Sequence, residues 1–183
     1  MSTSRLDDAA RRRPALAVAT LLLLVLFAVP ASARAGEVRK VFAMDRCDPD
    51  SFNAAIGPGT CVRNGGVSFA EFLRRVNPRD GGHNAWRFSR HDVDLKPGQD
   101  LSVTNTGGET HTFTEVVNFG GGIVPALNAA LPPGTPAAQP IGDLRFIPPG
   151  GNVQLDGLSA GQHRFECLIH PWMRLVVDQR AAD

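Results

Sequence analysis

Near the C-terminus stands the run Cys167-Leu168-Ile169-His170-Pro171-Trp172-Met173, which decides the fold expected for this chain. It places a thiol, an imidazole and a thioether three residues apart. Sulfur ligands from Cys and Met select copper, and imidazole suits copper as well. Two His, one Cys and a weak axial Met form a known trigonal copper site. The run supplies three of these four groups, so it predicts a copper site whose second histidine lies elsewhere.

The chain has five histidines, and His111 is the best candidate for the missing ligand. It follows the turn residues Asn105-Thr106-Gly107-Gly108 and begins an alternating strand, so it should lie where the loops of a sandwich gather. His163 lies four residues before Cys167 on the same strand, too far away to share a metal, and is expected to be a satisfied core or edge histidine. The other two are expected in turns or at the surface: His83 and His91. The predicted ligands of one copper ion, as Cu(I) or Cu(II), are His111, Cys167, His170 and Met173.

The strand before the motif directs the cysteine inward. In the segment Gln162–Cys167, a period of two places Phe165 and Cys167 on one face and Arg164 and Glu166 on the other. Cys167 therefore sits at the end of a strand anchored in the core, which holds a ligand more firmly than a free loop does. Met173 is one of only two methionines after residue 33, and its spacing favours an axial ligand over a core-filling role.

The N-terminus has the pattern of a secretory signal peptide. Three arginines, Arg11 to Arg13, precede an apolar run from Ala15 to Val29, and small residues follow at Ala31, Ala33 and Ala35. A retained membrane anchor is the alternative, but about fifteen apolar residues are few for a span. Residues 1–35 are therefore predicted to be removed, which leaves an exported, periplasmic protein without an integral membrane span.

Charge and cysteine count narrow the function further. Cleavage after Ala33 leaves fifteen basic and sixteen acidic residues, a net charge of about −1. Nothing in this composition suggests a nucleic-acid or anionic-lipid partner, because both require clustered Lys and Arg. Disulfides persist in exported proteins, and three cysteines leave one unpaired. Cys47 and Cys61, fourteen positions apart, are the natural pair. Cys167 is then the free thiol, and metal coordination would occupy it.

Two regions follow the signal sequence. Residues 36–84 are predicted to form a partly helical extension, because Ser68-Phe69-Ala70-Glu71 has the form of a capping box and Asn77-Pro78 ends the pattern. The apolar face of that helix is expected to pack on the main domain: Phe69, Phe72, Leu73 and Val76. Residues 85–183 carry short alternating strands divided by turns, which indicates an all-β sandwich. The stretch from Gly120 to Pro140 shows neither a strand period nor a helix period over most of its length.

These residues resemble the cupredoxin (type 1 blue-copper) family, in particular its amicyanin-like and plastocyanin-like members. The resemblance covers roughly Trp86 to Val177 and rests on the Cys-x-x-His-Pro-x-Met spacing. It implies a Greek-key β-sandwich in which the four predicted ligands bind one copper ion. Family members shuttle single electrons between larger redox proteins, so redox partner proteins are implied here too. Thr112 stands where the family often carries Asn, and its hydroxyl and backbone N–H are expected to tie the two ligand loops together.

Three functions remain in competition. A non-enzymatic electron carrier is the first, with an apolar rim of Ile169, Pro171 and Trp172 through which the edge of His170 reaches the surface. The second is a periplasmic copper carrier or store, which the scarcity of Met and the absence of a His-rich tract disfavour. The third is a copper enzyme with Glu109 or Glu115 as a further ligand, which four ligands in a closed site disfavour.

Overall fold

The structure is a computed structural model that describes residues 37–182, so the predicted signal peptide lies outside the described residues. Strands dominate this part of the chain. In chain order they are β1 (Arg39–Met44), β2 (Arg87–Phe88), β3 (Asp92–Leu95), β4 (Leu101–Asn105), β5 (His111–Thr112), β6 (Thr114–Val116), β7 (Phe146–Ile147), β8 (Asn152–Leu155), β9 (Gly161–Glu166) and β10 (Arg174–Gln179). The helices are α1 (Pro49–Ala55), α2 (Phe69–Arg75) and a 3-10 helix (Pro125–Ala130). None of the helices in residues 37–182 has the length and hydrophobicity of a membrane span.

Eight strands form two four-stranded sheets, with the orders β2-β1-β4-β8 and β3-β10-β9-β6, and β5 pairs with β7. β1 runs parallel to β4 and β3 runs parallel to β10, while the other pairs are antiparallel. Among the described strands, only β1–β2 and β9–β10 are sheet neighbours that also follow each other in the chain. Elsewhere the chain crosses between the sheets, as in a Greek key. The predicted all-β sandwich is confirmed.

The core lies between the two sheets. Alternating residues of each strand point into it, such as Val41 from β1 and Val177 from β10, both fully buried. Phe113 interrupts the predicted strand from His111 to Val117 and turns its ring inward. That ring stacks on Phe165 with centroids 4.4 Å apart and meets Phe88 edge-on at 5.3 Å. These aromatic contacts anchor β9 directly before Cys167.

The segment predicted as a helical extension, residues 36–84, contributes a strand as well as two helices. β1 pairs with β4 over five residues, so this segment joins the sheet directly. Val41 and Ala43 are buried while Phe42 is half-exposed, a period-2 pattern too short to stand out in the sequence. The domain boundaries drawn at residues 35 and 84 stay a prediction.

Both helices begin at side-chain caps. The Asp48 carboxylate accepts a hydrogen bond from the Ser51 N–H at 3.1 Å, and Pro49 occupies the first helical turn of α1. The Ser68 hydroxyl accepts from the Glu71 N–H at 3.2 Å, as the capping box predicts for α2. The predicted disulfide joins Cys47 to Cys61 and closes the loop that carries α1, and Cys167 is the free thiol; both predictions are confirmed.

The stretch from Gly120 to Pro140 packs over the outer face of β9. It holds the 3-10 helix and returns through a bridge between Gly121 and Ala137. The Gly120 N–H donates to the Glu166 carboxylate at 3.0 Å, and this carboxylate is fully buried. Burial raises the pKa of Glu166 to about 7. The outer face of β9 is therefore covered by protein at Glu166, the residue directly before Cys167.

Candidate metal centre

Three of the predicted ligands meet at one end of the sandwich. His111 begins β5, Cys167 directly follows β9, and His170 lies in the turn before β10. The Cys167 Sγ lies 3.8 Å from Nδ1 of His111 and 3.8 Å from Nδ1 of His170. All three side chains are buried, and their donor atoms lie within 4.8 Å of one another. The fold therefore brings together residues that are 56 positions apart in sequence.

Met173, the fourth predicted ligand, is buried beside Cys167. The Cys167 N–H donates to the Met173 carbonyl at 3.0 Å, and the Met173 N–H donates to the His170 carbonyl at 2.9 Å. These two hydrogen bonds close the seven-residue run into a compact loop. Met173 is 1% exposed, a burial that suits an axial ligand and a core-filling methionine equally. Its ligand role stays a prediction.

The spacing of the donors fits a single soft metal ion. Ligand atoms about 2.0–2.3 Å from one ion lie roughly 3.4–4 Å apart, in agreement with the two separations of 3.8 Å. Burial raises the pKa of a thiol, but hydrogen bonds with His111 and His170 outweigh it and hold the pKa of Cys167 well below its usual value. A thiolate between two imidazoles is a donor set that favours copper over hard cations.

Thr112 joins the two loops that carry the ligands, as expected from the sequence. Its backbone N–H donates to the Cys167 Sγ at 3.3 Å. Its hydroxyl oxygen accepts from the Leu168 N–H at 2.7 Å, and the hydroxyl lies 3.5 Å from the Glu166 carbonyl. Outer-shell hydrogen bonds of this kind orient the ligands and tune the metal that they bind.

Asp45 is a buried partner of His111 that was not predicted from the sequence. Its Oδ2 lies 2.9 Å from Nε2 of His111, the ring nitrogen opposite the one that faces Cys167. Burial lowers the pKa of His111, but the hydrogen bond with Asp45 outweighs it and raises the pKa to about 9. A carboxylate on the outer nitrogen fixes the orientation and tautomer of a metal-binding histidine.

Glu109 lies near the outer nitrogen of His170, as Asp45 lies near that of His111. Its Oε2 accepts a hydrogen bond from the Trp86 indole N–H and lies 3.7 Å from Nε2 of His170. Burial raises the pKa of Glu109, and the charge of His170 lowers it in part. Glu109 therefore contacts the outer nitrogen of His170, on the side away from Cys167. The sequence allows Glu109 as a further ligand in a copper enzyme, but no sequence pattern predicts its contact with the outer nitrogen of His170.

The expected apolar rim around an exposed His170 edge is wrong. His170 is only 2% exposed, and Pro171 is buried as well. The rings of Trp172 and Phe72 lie 5.5 and 6.1 Å from the His170 ring, centroid to centroid. The reason is the N-terminal segment: α2 packs its Phe72 against the ligand loop, and the Trp172 indole donates to the Trp86 carbonyl at 3.1 Å.

The remaining histidines lie outside the donor cluster. His163 is 2.6 Å from the Glu115 carboxylate and 2.9 Å from the Ser159 carbonyl, so it is a satisfied edge histidine as expected. Glu115 is thereby engaged away from the metal centre. The other two also match their expected positions. His83 lies in a turn, where its carbonyl accepts from the Trp86 N–H at 2.9 Å, and His91 is exposed.

Glycine allows the 120–122 stretch to reach the ligand loop. A Cβ on Gly122 would lie 2.0 Å from the Leu168 carbonyl oxygen, which no side chain could tolerate. The Ile123 N–H donates to the same carbonyl at 2.7 Å. This contact fixes the backbone between Cys167 and His170 from outside.

No family model and no curated protein matches the sequence. The solved structures to which it is similar include a purple cupredoxin, amicyanin variants and a copper-containing nitrite reductase. A purple cupredoxin from Nitrosopumilus maritimus is 12% identical, covers 77% of this chain and 98% of its own, and has a TM-score of 0.43. An amicyanin mutant in its reduced Cu(I) form is 18% identical over 51% of this chain and 73% of its own, with a TM-score of 0.36. A copper-containing nitrite reductase from Thermus scotoductus is 12% identical over 53% of this chain and 21% of its own, with a TM-score of 0.36.

Proposed function

We propose that this chain is a periplasmic type 1 copper protein that carries single electrons between redox partner proteins. The proposed ligands of its one copper ion are His111, Cys167, His170 and Met173. The supporting observation is the buried Cys167 sulfur, which lies 3.8 Å from Nδ1 of each histidine. A bound copper ion would alternate between Cu(I) and Cu(II), a one-electron change.

The protein's own contribution is to hold the ligands still. The two oxidation states of copper prefer different geometries, so a carrier works fastest when its ligands hardly move. Asp45 fixes the outer nitrogen of His111 at 2.9 Å, and the Thr112 N–H fixes the Cys167 sulfur at 3.3 Å. Hydrogen bonds between Cys167, His170 and Met173 close the loop that carries the other ligands.

Two observations weigh against the rival functions. A copper carrier or store must release its ion, yet His111 and His170 are at most 2% exposed. A copper enzyme with an acidic ligand needs a carboxylate on the donor side of the cluster. Glu109 instead approaches the outer nitrogen of His170, and Glu115 is bonded to His163.

The proposed location follows from two features. The N-terminal residues have the pattern of a secretory signal peptide, and disulfides such as Cys47–Cys61 persist in oxidising compartments. Release of residues 1–35 in periplasmic extracts, read from the N-terminal sequence of the purified protein, tests this part of the proposal.

The decisive experiment loads the purified protein with Cu(II). Thiolate-to-copper charge transfer should give an intense visible band that reduction bleaches reversibly. Cys167→Ser and His111→Asn should each abolish the band, because each removes a donor. Met173→Leu should keep the band and shift the reduction potential, because the thioether interacts weakly.

His163→Asn is the matched control, since it alters a histidine of the same sandwich outside the donor cluster. It should retain the full band. Colour that survives Cys167→Ser would refute the ligand assignment. Rapid transfer of Cu(I) to an acceptor protein, without electron exchange, would favour the carrier alternative.

A further inference from the structure

An apolar cleft of about 340 Å³ opens between α2, the loop that follows α1 and the 3-10 helix. Its walls include Phe69 and Leu73 of α2, Leu127 of the 3-10 helix and Ile169 of the ligand loop. Glu109 and His170 also line it, and both are almost fully buried, so they form its floor. His170, which packs against the rings of Phe72 and Trp172, borders this open space.

The floor holds an incompletely bonded carboxylate. Glu109 is 7% exposed, and its Oε2 accepts from the Trp86 indole N–H. Among the described residues, no group donates to its Oε1. This oxygen is accessible to solvent, since it is not among the buried side-chain atoms without a partner. A ligand that supplies one O–H group can therefore take the place of water at this oxygen.

Size and lining define the ligand. Cavities of about 300–1,000 Å³ with apolar walls and a few polar groups are typical small-molecule sites. Phe69 and Phe72 offer aromatic rings to a flat ligand. Glu109 already contacts the Trp86 N–H and the His170 ring, so a neutral hydrogen-bond donor suits its carboxylate. A positively charged ligand is less suited, because its charge would lose hydration among the apolar walls.

We propose that this cleft binds a small neutral phenol, whose ring packs against Phe69 and Leu127 and whose hydroxyl donates to Glu109. A protein side chain is less suited, because both floor residues are more than nine-tenths buried: Glu109 is 7% exposed and His170 is 2% exposed. The ring of the phenol would lie against His170. Binding of the phenol does not depend on the copper function proposed above.

Titration of phenol into the reduced copper-loaded protein and into the metal-free protein tests the proposal by calorimetry. A Kd of about 1 mM or tighter is expected for a single-ring ligand. Methoxybenzene, which has the same shape but no donor, should bind at least about fivefold more weakly because it cannot bond to Glu109. Benzylammonium should bind no better than methoxybenzene.

Two alanines of the 3-10 helix provide a matched pair of variants. Both are exposed, but only Ala126 lines the cleft. Ala126→Trp should weaken phenol binding at least about tenfold by filling the site, and Ala129→Trp should leave it within about twofold of wild type. Circular dichroism verifies that both variants fold.

Failure of phenol to bind, equal binding of phenol and methoxybenzene, or unchanged binding to Ala126→Trp would each overturn the proposal. Loss of electron exchange with a protein acceptor in Ala126→Trp, without any phenol binding to wild type, would identify the cleft as a protein contact instead. None of these results alters the Cu(II) colour test, so the two proposals fail independently.

Discussion

The Asp45 carboxylate lies 2.9 Å from Nε2 of His111, and both side chains are completely buried. The carboxylate also accepts hydrogen bonds from the backbone N–H groups of Cys47, Gly108 and Glu109 at 2.9–3.2 Å. Burial raises the pKa of Asp45, but the hydrogen bond with His111 and those from the backbone lower it overall. The N-terminal segment thus supplies a charged partner for a predicted ligand of the main domain.

Asp45→Asn is expected to weaken copper binding by about 10–100-fold, the usual cost of losing an outer-shell partner. The amide would turn its NH₂ group toward N–H donors, so the free energy of unfolding should also fall, by about 2–3 kcal/mol. Competition with a chelator of known affinity measures the first effect, and urea denaturation measures the second. Asp50→Asn, on the nearby helix α1, is the control. Copper affinity within twofold of wild type would contradict the assigned role of Asp45.

Thr112→Val removes the oxygen that accepts from the Leu168 N–H at 2.7 Å and leaves that buried N–H without a partner. The free energy of unfolding should fall by about 1–3 kcal/mol. The Cu(II) band should persist, because the backbone N–H that donates to Cys167 is retained. Urea denaturation of the metal-free protein provides the measurement.

Thr114→Val is the matched control for this effect. Its hydroxyl is buried and has no hydrogen-bond partner among the described residues. Replacing an unsatisfied hydroxyl by a methyl group should leave stability unchanged or raise it slightly. Equal losses in the two variants would show that the bond from Leu168 to Thr112 is unimportant.

His163 should make stability depend on pH. Burial lowers its pKa, but its hydrogen bonds with the Ser159 carbonyl and the Glu115 carboxylate outweigh this and raise the pKa above 6.5. A raised pKa means that the folded state binds the proton more tightly, so the stabilisation is full below pH 6.5 and is lost as the pH rises through the folded-state value. His163→Gln should therefore cost more stability at pH 5.5 than at pH 9.

Urea denaturation at both pH values measures this difference. His91→Gln, which alters an exposed histidine, should show the same small effect at either pH. A cost for His163→Gln that is equal at pH 5.5 and pH 9 would rule out the charged interaction with Glu115.

Local patterns sufficed to predict much of this molecule. The strands between residues 86 and 179 follow from period-2 alternation, and α2 follows from the capping box at Ser68. The convergence of His111, Cys167 and His170 was also expected, because the turn before His111 and the loop after β9 fall at the same end of a sandwich. In these cases, the decisive interactions lie within a few residues or are inherent in the fold class.

Long-range contacts were beyond such patterns. Asp45 meets His111 across 66 residues only because β1 pairs in parallel with β4, and β1 itself is too short to stand out. The burial of His170 was missed for a similar reason. An apolar helix face indicates that α2 packs somewhere, but not that Phe72 packs over the ligand loop.

Gly82 lies against Trp172, the side chain that packs over His170. Its φ is +91°, and a Cβ at this position would lie 2.2 Å from the indole of Trp172. Gly81 also has a positive φ, +65°, but a Cβ there would meet nothing within 4 Å. The two glycines therefore share the backbone requirement, and only Gly82 has the additional contact with the side chain that covers His170.

Gly81→Ala should lower the free energy of unfolding by about 1–2 kcal/mol through backbone strain alone. Gly82→Ala should cost about 1–3 kcal/mol more, because the methyl group displaces the Trp172 ring from the packed cover. Urea denaturation gives both values, and tryptophan fluorescence should change only in Gly82→Ala. A displaced Trp172 would also admit water to His170, so the reduction potential of the copper-loaded Gly82→Ala protein should shift while that of Gly81→Ala should not. Identical stability, fluorescence and potential in the two variants would show that Trp172 does not pack against Gly82 and does not shield His170 from water.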